Sequence, residues 1–226
     1  METQNSINEL IYLIAFTKLK GISDIDKKKL FIHLGSAQQV FEYCKSKQEL
    51  HHIYWPLEIA KREIDFISKH AIQSISILDK DYPEKLIHID DAPLLLYHKG
   101  KGNIHLPYLI SIVGTRAHTR QSFAIIKDLI EGIKHLPIGI ISGLALGIDT
   151  IAHKTALEYT LPTWAVLGHG LDMIYPTQNR QLAISILEQG GLFTEFTSKT
   201  SPLHFHFPKR NRIVAGLSDA TIVVET

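Results

Sequence analysis

The sequence predicts an α/β protein: a doubly wound, mainly parallel sheet preceded by a small all-helical domain. Three observations carry that prediction. Short helical periodicities joined by tight turns, with no strand signal between them, fill the first third of the chain. From Ser74 onward, apolar β-branched runs alternate with amphipathic stretches. A hydrophobic content of 45% against 21% charged residues suits a packed core and sets extensive disorder aside.

The totals narrow the function classes. A formal net charge of +1 excludes a wholesale basic protein, so any nucleic-acid surface must be a local patch. One cysteine, Cys44, permits neither an internal disulfide nor a thiolate metal cluster and fits a reducing cytoplasm. The apolar start INELIYLIAF contains Glu9, has no basic leader and is too short to span a bilayer. It reads as a core helix, and no membrane contact is expected.

Residues 1–72 form the expected helical domain. Ile7, Leu10, Ile11 and Ile14 recur at helical spacing up to Gly21; a second helix runs from Asp24 or Asp26 to Leu34 and ends at Gly35. Ser36 caps AQQVFEYC, and a longer helix spans Pro56 to about His70. The turn KLKGISDID has the look of a helix–hairpin–helix loop, with Lys18, Lys20, Lys27, Lys28 and Lys29 read as a solvated face. His51 and His52 sit in a polar turn.

Residues 73–226 form the expected α/β domain. ISILD is a short strand, and YPEKLIHIDDAPLLLYHKG a loop, a brief helix and a second strand. Strands follow at Leu109–Val113, Ile138–Ser142, Thr163–Leu167, Leu192–Phe196 and Ala220–Glu225. The helices between them are Gln121–His135, Asp149–Tyr159, Asn179–Gln189 and Pro208–Ala215. In such sheets ligands bind beyond the carboxyl ends of the strands.

Four stretches stand there. ISIVGTRAHTR breaks at Gly114, presents Thr115 and Arg116, and enters a helix with Thr119 as N-cap. That helix start suits an anion, with Arg116 as a planar fork, although strand–Gly–helix turns also occur with no ligand. SGLALGID has Gly143 and Gly147 flanking a bend and Asp149 as a cap. GHGLDMIYPTQNR offers Gly168 and Gly170, with Asp172 and Tyr175 organising the loop and Arg180 in the next helix. HFHFPKRNRIVAGLS starts a helix with Pro208 at its first position and puts Lys209, Arg210 and Arg212 in the first turn or so. Cations there oppose the helix dipole at about 0.3–1 kcal/mol each, which an external polyanion would reverse. Phe205 and Phe207 alternate with His204 and His206, so one pair faces inward; core phenylalanines and an exposed stacking ring are both open readings. No metal site, P-loop or GxSxG elbow is visible, and neither a cofactor nor a catalytic residue is expected.

Read together, VGTR, SGLALGIDTIAH, GLDMIYP and FPKRNRIVAGLS resemble the DNA-processing protein A (DprA, or Smf) family. DYPEKL and DAPLLLYHKG in the bridge are also similar to it, and the N-terminal helices look like the family's small SAM or helix–hairpin–helix-like domain. The resemblance implies a Rossmann-like fold that binds single-stranded DNA, protects it and helps load the recombinase RecA in natural transformation, without catalytic activity. It puts the family's arginine on Arg116, its basic motif on Lys209, Arg210, Asn211 and Arg212, and its glycine loops on Gly143, Gly147, Gly168 and Gly170. It puts a basic residue at Arg180. His169 departs from the family pattern, in which a small polar residue is commoner. Family members continue past IVVET with elements that carry dimerisation and partner contacts, so the chain reads as truncated relative to them. DNA phosphates on Arg116, Arg180, Lys209, Arg210 and Arg212 would give a salt slope near −3 if about four are neutralised. The rival reading is a nucleotide enzyme similar to the Rossmann-like phosphoribohydrolases. Glu195 follows a strand without their glycine run.

Overall fold

The computed structural model describes residues 2–48, 50 and 53–225; His51 and His52 lie outside the described residues. The chain divides into two compact units, residues 1–82 with 87–96, and residues 83–86 with 97–226.

The first unit contains α1 (Glu2–Thr17), α2 (Asp24–Leu34), α3 (Ala37–Ser46), α4 (Leu57–Lys69) and β1 (Gln73–Ser76). Local chemistry sets the helix ends. Ser23 Oγ accepts from Asp26 N at 3.1 Å, and Gly35, at φ +72°, closes α2. Ser36 Oγ accepts from Gln39 N, and the Glu9 carboxylate of α1 accepts from the Ala37 and Gln38 amides at the same helix start. Phe16 stacks on Trp55 at 5.7 Å, and Phe41 meets Trp55 edge-on at 5.0 Å. Two of the lysines expected on a solvated face are structural instead. Buried Lys27 donates to Thr17 O at 3.1 Å, and Lys28 donates to Ile87 O and Ile89 O at 2.6 and 2.7 Å. Both ammonium groups are committed to backbone carbonyls rather than to solvent.

Two elements, α5 (Glu84–Ile87) and β2 (Leu95–Gly100), straddle the division. The second unit continues with β3 (Tyr108–Gly114), α6 (Arg120–Ile133), β4 (Ile138–Ser142), α7 (Ile148–Glu158) and β5 (Thr163–Val166). It ends with α8 (Arg180–Gln189), β6 (Gly191–Thr194), α9 (His206–Gly216) and β7 (Ala220–Val224). The strand order is β1-β2-β6-β5-β4-β3-β7. The pairs β6–β5, β5–β4, β4–β3 and β3–β7 are parallel, and β2 runs antiparallel to β6. This is the α/β, mainly parallel architecture that the alternation predicts. Every residue of β4 and β5 is buried, the polar Ser142 and Thr163 included, as in strands covered on both faces. Ile126 and Ile130 of α6 and Ile148 and Ala152 of α7 pack against Ile112 and Ile140 of the sheet. Ala183 and Ile186 of α8 pack against Ala165 and Leu192.

Candidate nucleic-acid interface

The parallel strands β3, β4, β5 and β6 present their carboxyl ends on one edge of the second unit, and the four stretches singled out in the sequence all leave from it. After β3, Thr115 ties the turn together: its N–H donates to Glu225 O at 2.8 Å, and its carbonyl accepts from Ile148 N at 3.1 Å. Gly114 pairs with Val224 so closely that a Cβ would strike the Val224 carbonyl. Arg116 then points into solvent, its guanidinium 5.8 Å from the centre of the Phe207 ring. Thr119 caps α6 as expected, accepting from Ser122 N at 3.2 Å.

The same helix start is not open to an outside anion, and here the expectation is corrected. Glu225 Oε2 accepts from Thr119 N at 3.1 Å, from Thr119 Oγ1 at 3.2 Å and from Ser122 Oγ. Those hydrogen bonds, Ser122's first, hold the Glu225 carboxyl below its usual range. The positive helix end is already answered by the chain's own carboxylate.

After β4, the SGLALGID bend is braced from inside. Asp149 is not the N-cap expected of it; Gly147 takes that place, at φ +82° and so close to the Thr115 carbonyl that a Cβ has no room. Asp149, buried in the first turn of α7, accepts from Gly143 N at 3.0 Å and Ala145 N at 3.2 Å. Burial pushes its carboxyl up, while the Arg210 charge and the two amides pull it back. Asn179 Nδ2 donates to Leu144 O at 2.9 Å and to Thr150 Oγ1 at 2.8 Å, holding Leu144 in the left-handed region at φ +60°. Sequence reasoning missed Asn179 because its partners lie about 30 positions away and leave no local pattern.

After β5, Gly168 lies against the Phe207 ring, and Gly170 N donates to Thr200 O at 3.1 Å. Asp172 organises this loop as expected, accepting from Lys199 N at 3.0 Å. His169, the departure from the family pattern, folds into the loop. Its Nδ1 must donate to Gly170 O at 2.9 Å, so Nε2 is the atom that accepts from Tyr175 N at 3.2 Å. Burial lowers its pKa and keeps the ring neutral. The Tyr175–Pro176 peptide is cis. Arg180 begins α8 and is exposed.

After β6 the largest correction appears. The helix starts at His206, two residues before Pro208, so the HFHF run does not alternate as a strand would. Proline is tolerated there because no first-turn N–H has a helical acceptor. Phe205 is the N-cap residue and 67% exposed, whereas Phe207 is half-buried, 5.8 Å from the Tyr175 ring. The cations do not stand together unopposed. Arg210 is only 4% exposed; its Nη1 donates to Gly143 O at 2.6 Å and to Val166 O, and its Nε to Asn211 Oδ1 at 3.0 Å. A Cβ on Gly143 would collide with that guanidinium, which explains the glycine. Burial lowers the Arg210 pKa to about 10, against the support of Asp149. Arg212 Nη2 sits 2.6 Å from Glu195 Oε2, and Lys209 Nζ lies 3.8 Å from the same oxygen.

Arg116, Gly143, Leu146, Tyr175, Phe207 and Arg210 thus converge on a shallow depression of about 50 Å³. A larger hollow of about 370 Å³ opens at the other end of β3, but its lysine, Lys85, is paired with Asp219 at 2.5 Å. A strand laid across an edge needs exposed cations and rings rather than volume, and the smaller site has both. Among the described residues, no helix is long and apolar enough to cross a membrane.

Comparison with known proteins agrees with this architecture. The family model for DNA recombination-mediator protein A matches residues 73–226. The chain is 38% identical over 182 residues to DNA processing protein DprA of Streptococcus pneumoniae, covering 80% of this chain and 63% of that protein. It is 41% identical over 145 residues to protein Smf of Escherichia coli, covering 64% and 39% respectively. The crystal structure of the pneumococcal DprA superposes with a TM-score of 0.72 at 32% identity, over 94% of this chain and 77% of that one. A structure of DNA processing protein A from Helicobacter pylori, described for its single-stranded DNA binding mode, superposes with a TM-score of 0.61 at 30% identity, over 69% and 70%. The chain therefore spans under two thirds of the length of these curated relatives, and it belongs to the DNA recombination-mediator protein A (DprA/Smf) family.

Proposed function

We propose that this chain binds single-stranded DNA across the carboxyl edge of its sheet, as a binding protein rather than an enzyme. The observation that carries the reading is the convergence of exposed Arg116 with the Phe207 and Tyr175 rings at that edge. Arg116 and exposed Arg180 take phosphates, and Phe207 with Tyr175 takes a base. Gly114, Thr115, Gly143, Gly147, Gly168 and Gly170 shape the turns beneath them. Lys209, Arg210, Asn211 and Arg212 build the wall behind, and its three cations add positive potential. Glu195, the residue an enzyme reading would use, is held by two cations, which favours binding chemistry. The single-stranded DNA binding described for the Helicobacter pylori neighbour supports the same ligand, as does membership of a recombination-mediator family. Protection of incoming DNA, RecA loading and homodimer formation extend the proposal to the longer relatives' role.

Titration of a fluorescent oligonucleotide tests it. The chain should bind single-stranded DNA of any sequence alike, and Arg116→Ala with Arg180→Ala should weaken all sequences together. Absence of binding at low salt, or full affinity in the double variant, would remove the proposal.

A further inference from the structure

We infer that Phe205 is a second base-stacking platform, outside the depression, which takes an unpaired base further along the strand than the one at Phe207. The inference rests on the single-stranded DNA reading above and extends it to a surface that reading does not use.

Phe205 is 67% exposed, and Leu203 beside it 46%. Among the described residues Phe205 is the most exposed phenylalanine, ahead of Phe123 at 45%. The ring does not hang from a loose tip. His206 Nδ1 donates to Ser201 O at 3.0 Å, His206 N to Leu203 O at 2.9 Å and Leu203 N to Ser201 O at 2.9 Å. The His206 ring lies over buried Phe196 at 4.4 Å, and Phe205 meets His206 nearly edge-on at 4.6 Å. The backbone that carries Phe205 is therefore braced, which lowers the ordering cost of a stacking contact there.

Its surroundings select the occupant. Between Glu195 and Asp219 the chain holds no acid, and Lys199 of the same turn is exposed, whereas Arg210 is buried and Lys209 and Arg212 share Glu195. Such a surface suits a polyanion that carries flat apolar groups. Continuity points the same way, because Phe205 and Phe207 flank the first residue of α9 and Phe207 lines the depression.

The test pairs Phe205→Ala and Phe205→Trp with the unaltered chain, titrated with oligo-dT, with an abasic oligomer of equal length, and over a salt series. Phe205→Ala should weaken oligo-dT binding roughly five- to a hundred-fold, the weight of one stacked base. It should leave abasic-strand affinity and the salt slope unchanged, since no phosphate contact is lost. Phe205→Trp should retain affinity, and its new indole should be quenched by oligo-dT; Trp55 and Trp164 are buried and leave that signal distinct. Unchanged oligo-dT affinity in Phe205→Ala, an equal loss on the abasic strand, or indole emission that oligo-dT does not quench in Phe205→Trp would each overturn the inference while the wider reading stands. Failure of the unaltered chain to bind oligo-dT would remove both. Thermal melts of the variants guard against a folding defect, which exposure at this position makes small.

Discussion

Two corners of the same sheet edge look alike in sequence and differ in structure. At the β3–α6 corner and at the β6–α9 corner, a strand ends, the chain turns, and arginine stands beside a helix start. At the first, Arg116 faces solvent and the helix end is filled by Glu225. At the second, Arg210 is buried against two carbonyls and Asp149 stands behind it, while Arg212 and Lys209 share Glu195. One cation is therefore left exposed, and the others are mainly engaged by the protein itself. Residue type near a helix start signals that charge is needed there, but not whether its partner is a ligand or the protein.

The comparison breaks most easily on stability. Arg210→Met leaves buried Asp149 without its counter-charge and two carbonyls without a donor, which should cost about 3–5 kcal/mol in urea unfolding. Arg116→Ala should stay within about 0.5 kcal/mol, as exposed positions do. Comparable losses would mean that the two corners are built alike. Gly143→Ala comes next, at about 1–3 kcal/mol, because the new Cβ must displace the Arg210 guanidinium from a packed site. The double variant with Arg210→Met should lose less than the sum, since the clash disappears with its partner.

This contrast also marks what is legible in the sequence. Periodicity places β4 at Ile138–Ser142 and α2 at Asp24–Leu34, where burial and caps are local properties of the chain. The glycines do mark tight points, but Gly143 makes room for an arginine 67 positions away rather than for a ligand. Glu225, Glu195 and Asn179 each act on residues far along the chain, so no motif announces them. Sequence reasoning misplaces the start of α9 because HFHF alternates like a strand and Pro208 looks like a first helical residue. Only the backbone shows that proline can sit two residues further in.

A smaller effect reads the interior from its histidines. Burial, and then the Arg210 charge, lower the His153 pKa to about 3, and burial lowers that of His98 to about 4. Both stay neutral in the fold, whereas in the unfolded chain they take up protons near pH 6.5. The unfolded state then binds more protons, so stability falls as pH drops below about 6.5. Each histidine should contribute a loss of about 1.4 kcal/mol by pH 5.5. Urea midpoints at pH 7.5, 6.5 and 5.5 would show this, and replacing His153 should shallow the decline. A flat profile would mean that these rings are hydrated and that Arg210 is less enclosed than its carbonyl contacts imply.

The finest distinction is a count of phosphates. Each cation that meets a phosphate on a single strand adds about −0.7 to the slope of log affinity against log salt. If Arg116 and Arg180 alone are offered, the slope should lie near −1.4, about half the value near −3 that four engaged cations would give. Arg116→Ala should make it shallower by about 0.7, a change that titrations at several salt concentrations resolve. Glu195 decides between the two values. Its carboxylate occupies Arg212 and Lys209, so a slope near −3 requires DNA to draw those side chains away from it. A steep slope that stays steep in Arg212→Gln with Lys209→Gln would place the extra contacts elsewhere, and the division between the offered corner and the wall would have to be redrawn.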